Sequence, residues 1–258
     1  MTAVPTDISR RGVPPEAFAH HPELRERIVD PLGSFFRNFD IAALAEAHPE
    51  FDISWISSDA AREASRAKML ASHGGGDLWV FAYGSLMWDP GFRFIDVRRA
   101  IVPDHARRFI LLDKNGARGT RDRPGLMAAL DTGDGCAGLA FRIAAAEIEA
   151  ETEILWKREM VGPAYLPTFV TARMDDGAHS ALTFVADHDA EVIAPDLTRA
   201  EQIALIATGA GILGTSKAYL ENIVSQFAHL GIVDAECSSL LADVERHLAA
   251  QGADASGT

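Results

Sequence analysis

Cysteine is scarce in this chain of 258 residues: Cys136 and Cys237 lie far apart and form no CxxC pair. That excludes a disulfide framework or a zinc knuckle and leaves a reducing, cytoplasmic setting as the expectation. Long apolar runs are missing too. No stretch reaches the roughly eighteen residues of a membrane span, and the opening MTAVPTDISRRGVPPEAF holds no apolar signal segment, so neither membrane nor export is expected. Basic charge is in the minority: 24 Lys and Arg face 37 Asp and Glu, a formal charge of -13. Such a surface repels phosphate backbones, so nucleic acid is not an expected partner. The nine histidines are scattered, and the adjacent pair His20-His21 lacks the spacing that sets two imidazoles around a metal, so no metal site is expected. What is present is 48% hydrophobic residues, enough to bury a full core.

Along the chain, Pro5, Pro14, Pro15, Pro31 and Pro49 interrupt the first part, and an Ala-, Arg- and Glu-rich helix is expected from Ser58 to Ser72. Gly74-Gly75-Gly76 breaks that helix, because three glycines cost too much backbone entropy inside one. This divides the chain into an N-terminal extension (1–76), a compact domain (77–233), and a C-terminal helix with polar tail (234–258). Leu78 to Tyr83 is a continuous apolar run that suits a strand buried on both faces. Further strands are expected at 100–102, 109–112, 126–130, 138–143, 169–174 and 181–185. Many short strands with few helices between them predict an α+β fold with a closed or nearly closed sheet. Helices are expected at 145–160, 199–207, 216–230 and 236–249.

Four features are candidates for chemistry. The first is the turn Tyr83-Gly84-Ser85-Leu86, where a buried strand ending in Gly-Ser can present successive N–H groups to a carboxylate or oxyanion, although many plain strand ends look the same. A nucleophilic Ser85 would need glycine at 83 and 87, where the chain has Tyr and Met, so a serine hydrolase using His105 or His179 is the weaker alternative. The second is Glu159, which continues the line Ile148, Thr152, Leu155 on one helix face. A carboxylate aimed into a dry pocket gains basicity, while one at a helix end can equally form a salt bridge. The third is the basic, glycine-interleaved stretch with Arg107, Arg108, Lys114, Arg118, Arg121 and Arg123, which suits entry of an anionic substrate or plain surface pairing. The fourth is Gly209-Ala210-Gly211-Ile212-Leu213-Gly214-Thr215-Ser216, which matches no nucleotide-binding spacing. Cys136 reads as inert packing.

In combination, WVFAYGSLMW (79–88), Arg118-Gly119-Thr120, Arg123-Pro124-Gly125 and WKREM (156–160) resemble the ChaC family of γ-glutamylcyclotransferases in content and in order, from about Asp77 to Gly231. The resemblance implies a mixed β-barrel with flanking helices. It implies cyclisation of the γ-glutamyl group of glutathione to 5-oxoproline with release of cysteinylglycine, and neither metal nor cofactor. It also implies Glu159 as general acid and base, and a substrate site made of Val80, Phe81, Ala82, Tyr83, Gly84, Ser85, Leu86, Tyr165 and Tyr219. Ser85 is then expected to act through its amide. The chain departs from the pattern at Pro163, just after the catalytic helix, and at Ala82, where some relatives carry Gly. Other γ-glutamyl amino acids or amines as substrates, and a non-catalytic binding module on the same fold, are the remaining readings.

Overall fold

The computed structural model describes residues 12–47 and 53–255, so Pro5 and Pro49 lie outside the described residues. The N-terminal part is a series of short 3-10 turns followed by α1 (Ile41–Ala47) and α2 (Asp59–Ala71). Helix α2 begins where expected because the Ser58 hydroxyl accepts from the N–H of Ala61. Past its end, Gly75 and Gly76 adopt φ of 93° and 76°, which a residue with a Cβ resists.

The sheet is β1 (Leu78–Ala82), β2 (Asp96–Val102), β3 (His105–Asp113), β4 (Gly125–Thr132) and β5 (Cys136–Ile143), then, after helix α3 (Ile148–Glu159), β6 (Tyr165–Met174) and β7 (Gly177–Ala186). Five strands close into a ring: β1 pairs with β5, β5 with β2, β2 with β6, β6 with β7, and β7 runs parallel beside β1. β4 and β3 extend the sheet outward from β7. This is the closed sheet that the strand pattern predicts and the mixed barrel that the family resemblance implies. Phe81, Ala100, Val102, Ala140, Val170 and Ala181, drawn from every ring strand and from no helix, cluster together and fill the ring. Small side chains predominate because a five-stranded ring is narrow.

Several strands begin earlier than the hydrophobic pattern predicts, β2 at Asp96 and not Ala100, β6 at Tyr165 and not Phe169. In β2 the inward positions at one mouth are charged: Asp96 and Arg98 are both buried and paired, with Arg98 reaching Asp175 at 2.9 Å. In β6, Pro167 interrupts the pattern. Proline is tolerated there because β6 pairs with β7 along its whole length but with β2 only near Arg173.

Helices then cover the outside: α4 (Arg199–Thr208), the two-strand hairpin β8 (Ala210–Gly211) and β9 (Gly214–Thr215), α5 (Ser216–Leu230) and α6 (Ala235–Ala255). Thr198 and Glu201 form a capping box on α4, and Thr215 caps α5. The outer core joins Leu220, Ile223 and Phe227 of α5 to Leu240 and Val244 of α6 and to Phe18 and Leu24 of the N-terminal turns. The N-terminal segment and α6 thus share one core with the barrel. Both cysteines are free and buried, and burial pushes both thiols above their ordinary pKa. Among the described residues no helix is long and apolar enough to cross a membrane.

The glycines of the basic stretch have a packing explanation. A Cβ on Gly119 would stand 2.1 Å from the Gly125 nitrogen and 2.3 Å from the Asp113 carbonyl oxygen, and one on Gly209 would stand 2.4 Å from the Gly125 Cα. Backbone meets backbone there, so nothing can give way. Gly119→Ala is expected to destabilise by about 1–3 kcal/mol or more, read as a lower urea midpoint. Gly74→Ala, whose Cβ meets nothing within 4 Å, is the control and is expected to move the midpoint little.

Candidate active site

Helix α3 ends at Glu159, and Met160 already leaves helical geometry with φ -107° and ψ 35°. Pro163 therefore lies beyond the helix and does not alter its exit. The three residues before Glu159 on the same face divide as amphipathic packing requires: Thr152 and Leu155 are fully buried and Ile148 packs against the core. This leaves the Glu159 side chain 15% exposed, at the wall of a cleft of about 790 Å³.

Burial pushes the Glu159 carboxyl above its ordinary pKa, and the charge of Arg158, whose Nε lies 3.0 Å from Oε1, offsets only part of this. The position at a helix C-terminus acts in the same direction, since the macrodipole disfavours an anion there. Arg158 is itself buried, donates from Nη2 to the Ser85 hydroxyl at 2.8 Å and from Nη1 to the Asp89 carbonyl, and carries the Phe36 ring 3.9 Å from its guanidinium carbon. It is held from three sides and so fixes the carboxylate beside it.

The chain has three tyrosines, and all three gather around Glu159. Tyr165 opens β6 and Tyr219 stands in the first turns of α5, and both line the cleft. Burial pushes Tyr219 up to about 12. Burial, and then the neighbouring Tyr83 and Glu159 charges, push Tyr165 well above its ordinary value too. Both phenols therefore keep their protons and act as donors. Tyr83 lies beneath them, its hydroxyl donating to the Phe184 carbonyl at 3.0 Å and its carbonyl accepting from Arg107 Nε at 2.6 Å.

Of the expected substrate residues, Ser85, Tyr165 and Tyr219 line the same cleft as Glu159. The side chains of Val80, Phe81, Ala82 and Leu86 do not, because alternation along β1 and the following turn sends them into the barrel or the outer core. Gly84 stands behind the wall, where a Cβ would come 3.3 Å from the Tyr219 hydroxyl. The turn also leaves backbone donors free: the N–H groups of Ser85 and Leu86 open a 3-10 turn and meet no acceptor among the described residues, and of these two residues Ser85 lines the cleft. The serine-nucleophile alternative finds neither of its two histidines beside Ser85. His179 pairs with Asp176 at 2.8 Å, His105 stands on β3, and neither lines the cleft.

Two functional groups escaped the sequence reading. Arg158 stood inside a quoted motif without a role. Arg118 was one of six unranked cations, and its signal is the glycine spacing around it. Asp113 accepts from the N–H groups of Asn115, Arg118 and Gly119, and the β8–β9 hairpin donates from Ile212 and Leu213 to the carbonyls of Gly116 and Ala117. The loop thus pinned turns Arg118 into the cleft, 5.7 Å from the Tyr219 ring centre, and no carboxylate among the described residues forms a salt bridge with it. Burial lowers its pKa, which remains far above neutrality. Arg107 and Arg108 are instead structural, paired with Asp234 and Asp131. The arrangement joins one desolvated carboxylate, two phenol donors, two free amides and an unpaired cation. It can move a proton and hold an anion.

The family model described as ChaC-like protein matches residues 78–247. The glutathione-specific gamma-glutamylcyclotransferase of Escherichia coli K12 is 39% identical over 191 residues, covering 73% of this chain and 82% of that protein. The glutathione-specific gamma-glutamylcyclotransferase 1 of Danio rerio is 30% identical over 152 residues, covering 57% and 77%. A yeast crystal structure, of a gamma-glutamyl cyclotransferase specific to glutathione, superposes with a TM-score of 0.60 at 20% identity, over 67% of this chain and 97% of that one, a likeness of fold. With the motif-bearing strand, the Arg118 loop and the Glu159 helix all inside the matched span, the chain belongs to the ChaC-like family.

Proposed function

We propose that the protein is a γ-glutamylcyclotransferase acting on glutathione, with Glu159 as its general acid and base. The observation that carries this reading is the desolvated Glu159 carboxyl facing the cleft beside Arg158, Tyr165 and Tyr219. The names of the relatives from Escherichia coli and Danio rerio support the substrate.

In this reading the glutamyl α-ammonium gives a proton to Glu159, and the freed amine attacks the γ-carbonyl carbon. The new C–N bond closes the five-membered ring as the amide C–N bond breaks. The departing nitrogen takes that proton back from Glu159, the second proton shed by the ring nitrogen passes to it by the same carboxylate, and the amine leaves as an ammonium, so atoms balance without water. A carboxyl of raised pKa suits both transfers. The N–H groups of Ser85 and Leu86 and the phenols of Tyr165 and Tyr219 are donors for the oxygen that gains charge during attack. Holding amine and carbonyl together removes an entropic part of the barrier.

Arg118, the unpaired cation, binds a substrate carboxylate. Arg118→Met is expected to raise KM roughly 10- to 100-fold, the worth of a charged hydrogen bond, while changing kcat less. A steady-state measurement in which kcat falls and KM does not would remove Arg118 from substrate binding.

Incubation of purified protein with glutathione and, separately, with γ-glutamyl-alanine, followed by quantification of 5-oxoproline, tests the reading. Product from glutathione is expected. Product from the dipeptide alone would overturn the substrate, and product from neither would overturn the enzyme reading in favour of a binding module.

A further inference from the structure

The cleft that holds Glu159 is also lined by aromatic rings that proton transfer does not use. Phe35, Phe36, Phe39 and Trp55 come from the segment before residue 78, where the family-model match begins, and Trp88 faces them from behind the Ser85 turn. The Phe35 ring lies 5.4 Å from Phe36 at 77° and 5.5 Å from Phe39 at 57°, yet Phe35 is still 53% exposed. An exposed ring is ordinary alone, but three phenylalanines gathered at a cleft wall form an apolar surface that remains partly exposed among the described residues.

The segment is firmly anchored beside the reacting groups. Arg37 donates twice to the fully buried Glu151 of α3, at 2.7 and 3.0 Å, and once to the Gly91 carbonyl at 3.1 Å. The Ser57 N–H donates to the Val161 carbonyl at 2.8 Å, and Trp55 packs so closely on Gly162 that a Cβ there would stand 2.3 Å from its ring. Phe36 also rests on the Arg158 guanidinium, so the aromatic wall starts at the residue that holds Glu159.

We infer that this wall selects the departing half of the substrate, and that the cleft takes γ-glutamyl compounds whose amine half bears a bulky apolar group, with S-aryl- or S-benzyl-substituted glutathione as the class. The inference rests on the cyclotransferase reading. The polar groups of the cleft, Glu159, the turn amides and Arg118, take the glutamyl half and fix the scissile amide at Glu159. The amine half then extends along the aromatic wall. Glutathione presents a small thiol there, which covers little of the three rings, whereas an apolar thioether removes apolar surface from water on both sides. The bond changes are those already given: the ring C–N bond forms, the amide C–N bond breaks, the proton passes through Glu159, and the thioether is untouched.

The test measures 5-oxoproline release from glutathione and from S-benzylglutathione by the wild-type protein, Phe35→Ala, Phe39→Ala and the more conservative Phe35→Leu, with unfolding temperatures recorded for each. The wild-type kcat/KM for S-benzylglutathione is expected to equal or exceed that for glutathione. The ratio of the two is expected to fall about tenfold in the alanine variants and less in Phe35→Leu. Product from glutathione with a wild-type ratio well below one, or a ratio the variants leave unmoved, would overturn the inference while sparing the cyclotransferase reading. Product from neither substrate would overturn both.

Discussion

Replacing Glu159 by glutamine is expected to lower 5-oxoproline formation by roughly 10²–10⁴-fold, the usual contribution of a positioned acid and base, with the fold intact. Glutamine keeps the shape and the hydrogen bond from Arg158 but cannot take the proton. Stability changes little because two effects oppose. A carboxyl whose folded pKa is raised contributes stability that is full below its unfolded value and is lost as pH rises through the folded value. At neutral pH the wild type therefore carries a desolvation cost that glutamine removes. Against this, Arg158 loses its counter-charge while buried. Circular dichroism and an unfolding temperature near that of the wild type separate lost chemistry from lost structure. The pH profile supplies a second check: the acidic limb of kcat/KM is expected above the ordinary glutamate value of 4.5. Activity that survives in Glu159→Gln would move the base elsewhere.

Glu151→Ala is expected to have the largest effect on stability. This carboxylate is fully buried and accepts from Arg37 twice, from the Arg93 backbone N–H, and from Arg93 Nε at 2.7 Å. Removing it strands the Arg37 guanidinium, while Arg93 keeps Glu147 at 2.9 Å, and costs about 3–5 kcal/mol, a fall in unfolding temperature of roughly 6–20 °C for a chain of this size. Although burial alone would raise the Glu151 pKa, the hydrogen bonds from Arg37 and Arg93 outweigh it and leave the carboxyl below its ordinary value. The sign follows from that depression. Its stabilisation is present above the unfolded value of about 4.5 and is lost as pH falls through the lower folded value. The gap in unfolding temperature between wild type and variant should therefore narrow on acidification below that point. A gap that stays constant would mean that Glu151 acts by packing and not by charge. Because Arg37 ties the aromatic wall to α3, the same substitution also loosens that wall of the cleft.

Much of this molecule was legible in order along the chain. The β1 run that ends at Gly84-Ser85 is apolar at both parities because one face fills the ring with Phe81 and the other packs into the outer core with Leu78, Val80 and Ala82. Helices α2, α4 and α5 start where Ser58, Thr198 and Thr215 offer capping oxygens, a strictly local effect. Glu159 stood out by spacing, since three residues of its face are apolar or buried. What misled were positions where charge or proline enters a strand, Asp96 and Arg98 in β2 and Pro167 in β6. Their partners, Asp175 and the unpaired side of β6, lie far away in sequence.

The sequence by itself determined the turn at Gly84, the helix that ends at Glu159, and the glycines that flank Arg118, because backbone freedom, capping and periodicity act between near neighbours. Only the tertiary structure decided that Val80, Phe81, Ala82 and Leu86 face away from the cleft, and that Arg118 forms no salt bridge among the described residues while Arg107 pairs with Asp234. It alone brought Phe35, Phe36 and Trp55 of the N-terminal segment to the site. Burial and ion pairing depend on which distant segments meet, and no local pattern records that. The basicity of Glu159 belongs to the same class, for it is set by the water that the surrounding elements exclude.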